Sequence, residues 1–331
     1  MSPGPLPKLS NVCIVGGAGF IRSHFVDRLL DEASIESVTV FDNFTSGREW
    51  HLDRHAGNGR LRVVRGDVAD FDGLAAAMAG IDSVIHLASN PDIARAAVEP
   101  AIDFDSGTFL THHVLEAMRV SGATRIMYAS GSGIYGDLGE QEVDEDHGPL
   151  LPISTYGASK LAGEALISAY CHMFGLRGFV FRFGNVIGPR QTHGVGYDFL
   201  RRLSSDPRHL SILGDGWQSK SYVHVDDVVE AVLLATRHVS TPVATYNVAT
   251  GDYITVGEIA RMVVEVMGLE PERTEFEFSG TDRGWKGDVP VMRLSTERIR
   301  SLGWRDTLST RQAMRAPLTS MLEEVRSGKL T

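Results

Sequence analysis

The residues best suited to acid–base chemistry are Tyr156 and Lys160, in the segment Tyr156-Gly157-Ala158-Ser159-Lys160. The apolar-periodic run Leu161–Phe174 follows them and predicts a helix, on which residues four apart share a face. A phenol with a pKa of ~10 is a poor base at neutral pH, and a nearby ammonium lowers that pKa by favouring the phenolate. The two side chains are therefore a candidate proton-transfer pair. The spacing alone is weak evidence, because an amphipathic tyrosine and a solvated lysine give the same pattern.

A glycine-rich turn near the start of the chain is a candidate cofactor site. The β-type run Val12–Val15 leads into Gly16-Gly17-Ala18-Gly19-Phe20, and the helical pattern Ile21–Leu30 follows. In a strand, turn and helix of this kind, Gly16 and Gly19 let the backbone approach a pyrophosphate at the helix N-terminus. By itself such a turn is often no more than a tight turn.

An acidic residue, Asp42, ends the next strand-like run, Ser37–Phe41. A carboxylate at this place accepts hydrogen bonds from a ribose diol and repels a 2′-phosphate, which favours NAD over NADP. The turn, the helix and Asp42 together predict NAD binding. A second carboxylate, Asp67, falls where an adenine amino group could be recognised, and a helix cap explains it equally well.

Arg22 departs from the dinucleotide-binding pattern. It stands where a third glycine normally allows the helix to pack closely against the strand. We expect the helix to lean outward, or the arginine side chain to leave along the protein surface. A sharper hypothesis is that Arg22 contacts a phosphate or a ribose of the cofactor.

Strand-like and helical patterns alternate through the first half of the chain. The further apolar runs are Leu61–Val64, Ser83–Ala88, Arg125–Ala129 and Gly178–Arg182, and Pro100–Val120 is mostly helical. This alternation predicts an α/β fold with a doubly wound parallel sheet of the Rossmann type. Ligands of such sheets bind beyond the carboxyl ends of the strands.

The alternation loosens in the second half, where a capping-box pattern at Thr255–Glu258 opens another helix. We predict a dinucleotide-binding domain at residues 8–184, joined by 222–250. Residues 185–221 and 251–331 are predicted to form a second, smaller α/β lobe that binds the substrate.

The net charge, the cysteines and the lengths of the apolar runs exclude several classes of protein. The 331 residues carry a net charge of -10, which argues against binding nucleic acid through a basic face. Cys13 and Cys171 lie in apolar runs and are predicted to be buried free thiols. Met1–Pro7 has no signal-peptide character, and no apolar run approaches the ~20 residues of a membrane span. We expect a cytoplasmic protein without membrane or metal partners.

Together the motifs resemble those of the extended short-chain dehydrogenase/reductase family, specifically its nucleotide-sugar epimerases and dehydratases. The resemblance extends from about Asn11 to Trp304 and keeps the family's order and spacing. The matching segments are Gly16–Ile21, Asp42–Gly47, Gly66–Val68, His86–Ala88, Ile134–Gly136, Tyr156–Lys160, Arg182–Phe183 with Asn185, Gly214–Gly216 and Val225–Asp227.

The resemblance implies a tightly held NAD and a nucleoside-diphosphate sugar as substrate. It also implies that Tyr156 is the base, and that Lys160 tunes it and holds the nicotinamide ribose. The cofactor-binding residues are then Gly16, Gly19, Phe20, Ile21, Asp42, Asn43, Ser46, Gly47, Asp67, Val68, Leu87, Ala88, Tyr156 and Lys160. A homodimer through the Pro100–Val120 and Tyr156–Phe174 helices is implied as well.

On the substrate side, Lys220 stands where the family usually has an arginine on the diphosphate, which keeps the charge but loses the bidentate fork. The family's second phosphate arginine has no match near Trp285–Asp288, so Arg283 or Lys286 are candidates to replace it. The substrate-binding residues that we predict are Asn185, Arg190, His193, Lys220, Arg283 and Lys286.

The active-site hydroxyl is a further departure. The family has Ser or Thr four residues before the tyrosine of the strand-end motif, and that position is Gly131 here. We expect Ser132 to help polarise the sugar 4-hydroxyl, with Ser130 as the second candidate and a water as the alternative.

The residues after this position distinguish the reaction types. The family's 4,6-dehydratases have an Asp-Glu pair there, and its UDP-glucuronate decarboxylases keep a Glu at the position of Gly133. This chain has Ser132-Gly133, so an elimination has no obvious general acid or base. We therefore predict an NAD-dependent nucleotide-sugar 4-epimerase, an isomerase acting on UDP-glucose and UDP-galactose.

Three alternatives stay open. UDP-glucuronate 4-epimerisation is one, because Arg190, Thr192 and His193 could receive a carboxylate. A nucleotide-sugar dehydratase or decarboxylase is another. The third is a catalytically inactive NAD-binding module.

Overall fold

The computed structural model describes residues 8–90, 93–238 and 241–328; Met1–Pro7, predicted to carry no signal peptide, lie outside this part. The strands are β1 Asn11–Val15, β2 Ser37–Asp42, β3 Leu61–Arg65, β4 Ser83–His86, β5 Arg125–Gly131, β6 Glu142–Val143, β7 Arg177–Phe183, β8 Asn185–Ile187, β9 His209–Ile212, β10 Ser219–Lys220, β11 Tyr222–His224, β12 Val243–Val248, β13 Ile254–Thr255, β14 Glu275–Phe278 and β15 Arg293–Leu294.

The helices are α1 Phe20–Leu30, α2 Phe71–Ala77, α3 Ala101–Asp103, α4 Leu110–Ser121, α5 Thr155–Phe174, α6 Val195–Ser205, α7 Val225–Ala235, α8 Val256–Val266, α9 Glu297–Ser301 and α10 Thr310–Arg326. Short 3₁₀ turns occur at Glu49–His51, Asp53–His55, Ile93–Ala97, Ser132–Tyr135 and Pro271–Arg273.

Seven parallel strands form the central sheet, in the order β12-β7-β5-β4-β1-β2-β3. The chain winds outward from β1 in one direction through β2 and β3, and in the other through β4, β5 and β7. The predicted doubly wound Rossmann sheet is therefore confirmed. The strand order reverses between β1 and β4, so a crevice opens at their carboxyl ends, where such folds bind ligands.

Apolar side chains cover both faces of this sheet, as a parallel sheet requires. On one face, α1 and α7 contribute Phe25, Leu29 and Val232 to one core. On the other face, α4 and α5 contribute Met118 and Ile167 to a second core. The continuous apolar runs of the strands follow from this burial on two sides.

A third core lies outside the sheet, among α6, α8 and α10, with members such as Leu200, Val263 and Leu318. The predicted capping box is confirmed at the start of α8, where Thr255 caps the backbone of Glu258. The segment around α9 packs elsewhere. Ile299 and Trp304 belong to the first core, against the sheet.

Several local features match or refine the predictions. Cys13 and Cys171 are buried free thiols, as predicted. The run predicted to be helical over Pro100–Val120 contains a π-helical turn at Phe104–Phe109 between α3 and α4. Within the described ranges, none of the helices has both the length and the apolar character needed to cross a membrane.

Candidate active site

Helix α5 places Tyr156 and Lys160 on one face, as the spacing predicts. Ser154 caps the helix by accepting a hydrogen bond from the Gly157 N–H. The Lys160 ammonium lies 5.5 Å from the centre of the Tyr156 ring. It donates to the carbonyl oxygen of Ala129, 2.7 Å away at the carboxyl end of β5. The carboxyl end of β5 thus fixes the ammonium beside the phenol.

Gly157 explains how the helix comes so close to the strand ends. A Cβ on this residue would lie 2.6 Å from the carbonyl oxygen of Gly133. Any larger side chain would push the first turn of α5, and Tyr156 with it, away from the turn after β5. The glycine inside the Tyr-Lys motif is therefore a packing requirement.

Burial dominates the electrostatics of the pair. The pKa of Lys160 falls to about 7, chiefly because of burial and also because of the Arg22 charge, while Glu164 and Asp103 act in the opposite direction. Burial also raises the pKa of Tyr156, against the prediction that Lys160 lowers it. The reason is that burial disfavours the charged phenolate more than the neighbouring groups favour it.

Ser89, which the sequence motifs did not single out, touches this pair. The hydrogen bond between its hydroxyl and Tyr156 lowers the pKa of the phenol, as does the Arg22 charge, against the larger effect of burial. Ser89 follows β4 at the carboxyl edge of the sheet and lines the same cavity as Tyr156. Its place just after a buried strand was the available signal, because polar groups at that edge face the ligand crevice.

The two predicted hydroxyls differ in their surroundings. Ser130 donates to Glu164 at 2.5 Å, and Glu164 is in turn ion-paired with the buried Arg182 at 2.8 Å. Ser132 lines the cavity, and its hydroxyl has no hydrogen-bond partner in the described ranges. A Cβ on Gly131 would meet nothing within 4 Å, so the position of the expected hydroxyl is open space.

The glycine turn and the N-terminus of α1 together form a candidate anion-binding site. Gly16 has a φ of 77°, a left-handed conformation that favours glycine. Gly19 is the N-cap of α1, and the helix has neither a side-chain cap nor an acidic residue in its first turn. The N–H groups of that turn are therefore available to an anion, together with the positive end of the helix dipole.

Asp42 lies at the end of β2, buried and held by two N–H groups. Its carboxylate accepts from the amides of Ala18 at 2.9 Å and Phe44 at 2.7 Å. A Cβ on Gly47 would lie 3.0 Å from both carboxylate oxygens. The glycine at 47 thus keeps a cradle open above Asp42, which a side chain would fill.

Asp67 is part of the neighbouring loop and does not cap a helix. It accepts hydrogen bonds from the Asn43 side chain at 2.9 Å and from the Ala69 amide at 2.9 Å, and both lower the pKa of the carboxyl. Asp70 caps α2 instead.

The Arg22 side chain turns inward. Its guanidinium donates to the carbonyl oxygens of Gly16 at 2.7 Å and Leu87 at 2.9 Å, at the ends of β1 and β4. The prediction that the side chain leaves along the surface is wrong. The side chain extends into the crevice between β1 and β4 because the carbonyl oxygens of Gly16 and Leu87 accept hydrogen bonds from its guanidinium.

A cavity of about 580 Å³ opens over these strand ends. The predicted site residues that line it are Gly19, Phe20, Ile21, Ser46, Leu87, Ser130, Ser132, Tyr156, Lys160, Asn185, His193 and Lys220, and Arg22 and Ser89 join them. The predicted residues that do not line it are Gly16, Asp42, Asn43, Gly47, Asp67, Val68, Ala88, Arg190, Arg283 and Lys286.

The basic side chains that we predict to bind the substrate lie in different environments. Lys220 lines the cavity and pairs with Asp288 at 2.6 Å. Arg190 lies outside the cavity wall and pairs with Asp27 at 2.6 Å, which does not support a role in receiving a carboxylate. Arg283 pairs with Asp137 at 2.6 Å, and Lys286 is exposed.

A Rossmann sheet with a tyrosine–lysine pair over its switch-point crevice defines a dinucleotide-binding protein equipped for proton transfer. The model of the NAD dependent epimerase/dehydratase family matches residues 12–249. The chain belongs to this family. It is therefore an enzyme-family member whose cofactor is NAD.

Relatives of two reaction types match nearly the whole chain. A putative UDP-glucose 4-epimerase of Methanocaldococcus jannaschii is 29% identical over 322 residues, covering 96% of this chain and 100% of the relative. The crystal structure of a UDP-galactose 4-epimerase is 34% identical, with a TM-score of 0.84, covering 95% of this chain and 99% of its own. A double mutant of a dTDP-glucose 4,6-dehydratase from Streptomyces venezuelae, with NAD bound, is 26% identical with a TM-score of 0.86, covering 97% and 100%.

The residues present fit NAD. The uncapped first turn of α1 suits a diphosphate, and the cradle that Gly47 leaves over Asp42 suits a ribose diol. Tyr156 and Lys160 line the same cavity as Gly19 and Ser46.

Proposed function

We propose that this chain is an NAD-dependent 4-epimerase of a nucleotide sugar. The observation that carries the proposal is the make-up of the cavity wall around Tyr156 and Lys160. Ser132 and Gly133 line the wall beyond β5, where an elimination needs a carboxylate. The cavity does contain Asp198 and Asp288, but they lie on α6 and on the loop before β15, and Asp288 is paired with Lys220.

The roles of the residues follow from this chemistry. NAD, when bound, accepts the hydride from sugar carbon 4 and gives it back. In its phenolate form, Tyr156 takes the proton of the 4-hydroxyl, while Ser132 donates a hydrogen bond to the same oxygen. The 4-keto sugar then turns over within the cavity, and Tyr156 returns the proton to the oxygen. Atoms and electrons balance over the cycle, so only the configuration at carbon 4 changes.

Cofactor binding is assigned to the glycine-turn end of the cavity and to the loops that follow β2, β3 and β4 beside it. The glycine turn from Gly16 to Gly19 and the free N–H groups of the first turn of α1 hold the diphosphate, Asp42 holds the adenosine ribose, and Lys160 holds the nicotinamide ribose. The remaining predicted cofactor contacts, Asn43, Ser46, Gly47, Asp67, Val68, Leu87 and Ala88, are proposed to complete this site. Holding both reactants in one cavity supplies much of the acceleration.

The substrate is assigned to the part of the cavity lined by Asn185, His193 and Lys220. Asn185 and Lys220 line the cavity and are proposed to bind the diphosphate of the sugar nucleotide, with His193 nearby. UDP-glucose and UDP-galactose are the proposed substrates. Because Arg190 is already paired with Asp27, UDP-glucuronate is the weaker candidate.

A substrate panel tests the proposal. Purified protein with NAD is incubated separately with UDP-galactose, UDP-glucuronate, UDP-N-acetylgalactosamine and dTDP-glucose, and the products are followed by NMR. We expect UDP-galactose to be converted to UDP-glucose. A 4-keto-6-deoxy product would identify a dehydratase. NAD binding without any product from the panel would identify an inactive module.

Replacing Ser89 tests the electrostatics of the base. We expect Ser89→Ala to raise the pKa of Tyr156, because the hydrogen bond that favours the phenolate is lost. The ascending limb of the pH profile of kcat should therefore move to higher pH. Ser132→Ala is the matched comparison, expected to lower kcat by about tenfold without moving the limb. An unmoved limb in Ser89→Ala would contradict the assignment.

We also propose the division into residues 8–184 with 222–250, and 185–221 with 251–331. It is supported by β12, which completes the central sheet, and by the separate core of α6, α8 and α10. The α9 segment, which packs on the sheet, is the exception. A cytoplasmic location stays a prediction.

A homodimer is proposed through α4 and α5. The exposed apolar side chains Phe104, Phe109, Met173 and Phe174 lie on these helices or on the turn before α4, and such side chains are typical of interaction surfaces.

A further inference from the structure

Arg22 is an interior cation without a carboxylate partner. Its two hydrogen bonds go to the main-chain oxygens of Gly16 and Leu87. No carboxylate oxygen lies within 4.0 Å of it in the described part of the chain. Of the five N–H donors of a guanidinium, the three that these bonds leave over have no hydrogen-bond partner in the same ranges.

The two arginines of the described chain that are fully buried, Arg182 and Arg125, are both paired with a carboxylate. Arg182 contacts Glu164 at 2.8 Å, and Arg125 contacts Asp82 at 3.1 Å. Charges taken out of water are normally paired or bound to a ligand, because an uncompensated one is costly. Arg22 has no such carboxylate, so its charge and its three remaining N–H donors are available to an anionic ligand.

The guanidinium also lies where the anionic diphosphate of a dinucleotide would need a positively charged partner. Its Nη1 atom is 3.1 Å from the place that a Cβ on Gly19 would occupy. Gly19 is the residue whose missing side chain lets a pyrophosphate approach the backbone. A second basic side chain, Lys160, lines the same cavity and is likewise held by a main-chain oxygen, that of Ala129.

We propose that Arg22 binds the diphosphate of NAD directly. The proposal rests on the NAD dependence of the family and not on the epimerase reaction. Where a third glycine would leave recognition to backbone amides and the helix dipole, Arg22 adds charge-assisted hydrogen bonds. The contact with Leu87 holds the guanidinium at the mouth of the anion site, and its free N–H groups meet the phosphate oxygens.

Calorimetric titration of the Arg22→Gln protein tests this without any sugar. The ligands are NAD, ADP-ribose and adenosine, each at low and high KCl. We expect the variant to bind NAD and ADP-ribose about 10- to 100-fold more weakly at low salt. Adenosine, which lacks phosphate, should bind as it does to the wild type. The salt dependence of NAD affinity should be smaller in the variant, because one screened charge is gone.

Two further variants make the result interpretable. Arg28→Gln removes an exposed arginine of the same helix, paired with Glu230, and should leave all three affinities unchanged. Arg22→Lys keeps the charge without the fork and should fall between the wild type and Arg22→Gln. It also keeps the test available if Arg22→Gln fails to fold in a thermal-unfolding assay.

Two results would overturn the proposal. NAD affinity equal to or tighter than that of the wild type would make the guanidinium a plug that the cofactor displaces. Equal losses for adenosine and NAD would make Arg22 a purely structural brace between β1 and β4. Either result leaves the 4-epimerase proposal standing, which the substrate panel tests separately.

Discussion

Replacing Tyr156 with phenylalanine is expected to lower kcat for epimerisation by about 10²- to 10⁴-fold, the usual contribution of a positioned acid–base group. The ring and its packing stay, and only the hydroxyl that hydrogen-bonds to Ser89 is lost. Without it, Lys160 remains in the cavity but has no oxygen through which to exchange the sugar proton. Turnover of UDP-galactose, measured with saturating NAD, checks the expectation.

The specificity of this effect needs a matched tyrosine. Tyr246 is buried on β12 in the first core, away from the cavity wall, so Tyr246→Phe should retain near-wild-type turnover. NAD binding to Tyr156→Phe, measured by calorimetry, should change far less than kcat. If Tyr156→Phe keeps more than a tenth of the wild-type turnover, the base lies elsewhere in the cavity.

The parallel sheet could be predicted from the sequence because each of its strands is recognisable from its own residues. Runs such as Val12–Val15 and Ser37–Phe41 are apolar without interruption, and only a parallel sheet covered on both faces buries such runs. The packing of the α9 segment on the sheet has no such signal in the sequence. Its burial depends on Ile299 and Trp304 meeting the far edge of the sheet, and a contact of that range leaves no local pattern.

Within the site, positions that backbone geometry determines were predictable and side-chain directions were not. Tyr156 and Lys160 share a face because helix periodicity requires it. Arg22 turns inward because carbonyl groups of Gly16 and Leu87, distant in sequence, accept its guanidinium. The pKa of Tyr156 is likewise set by burial, which depends on the whole fold.

The burial of Lys160 predicts that replacing it has opposite effects on activity and on stability. The pKa of Lys160 falls from 10.5 to about 7, chiefly because burial disfavours the ammonium. Between those two values the unfolded chain binds more protons than the folded one, so this group makes stability rise with pH. Below about pH 7 the folded protein carries the full cost of a buried ammonium, and above pH 10.5 it carries none.

Lys160→Met should therefore destroy activity and stabilise the protein. We expect kcat to fall by about 10²- to 10⁴-fold, because Lys160 is proposed to hold the nicotinamide ribose beside Tyr156. The NAD-free variant should melt above the wild type at pH 6, and the gap should close as the pH approaches 10.5. Thermal unfolding from pH 6 to pH 10 measures this.

Lys8→Met is the control for that pH series, because its exposed side chain carries no burial cost to relieve. Its melting temperature should follow the wild type at every pH. A Lys160→Met protein that melts below the wild type at pH 6, or by a constant margin across the range, would show that the ammonium is well solvated in the folded chain. The combined outcome expected here, an inactive but more stable enzyme, is the mark of a residue kept for chemistry at the expense of stability.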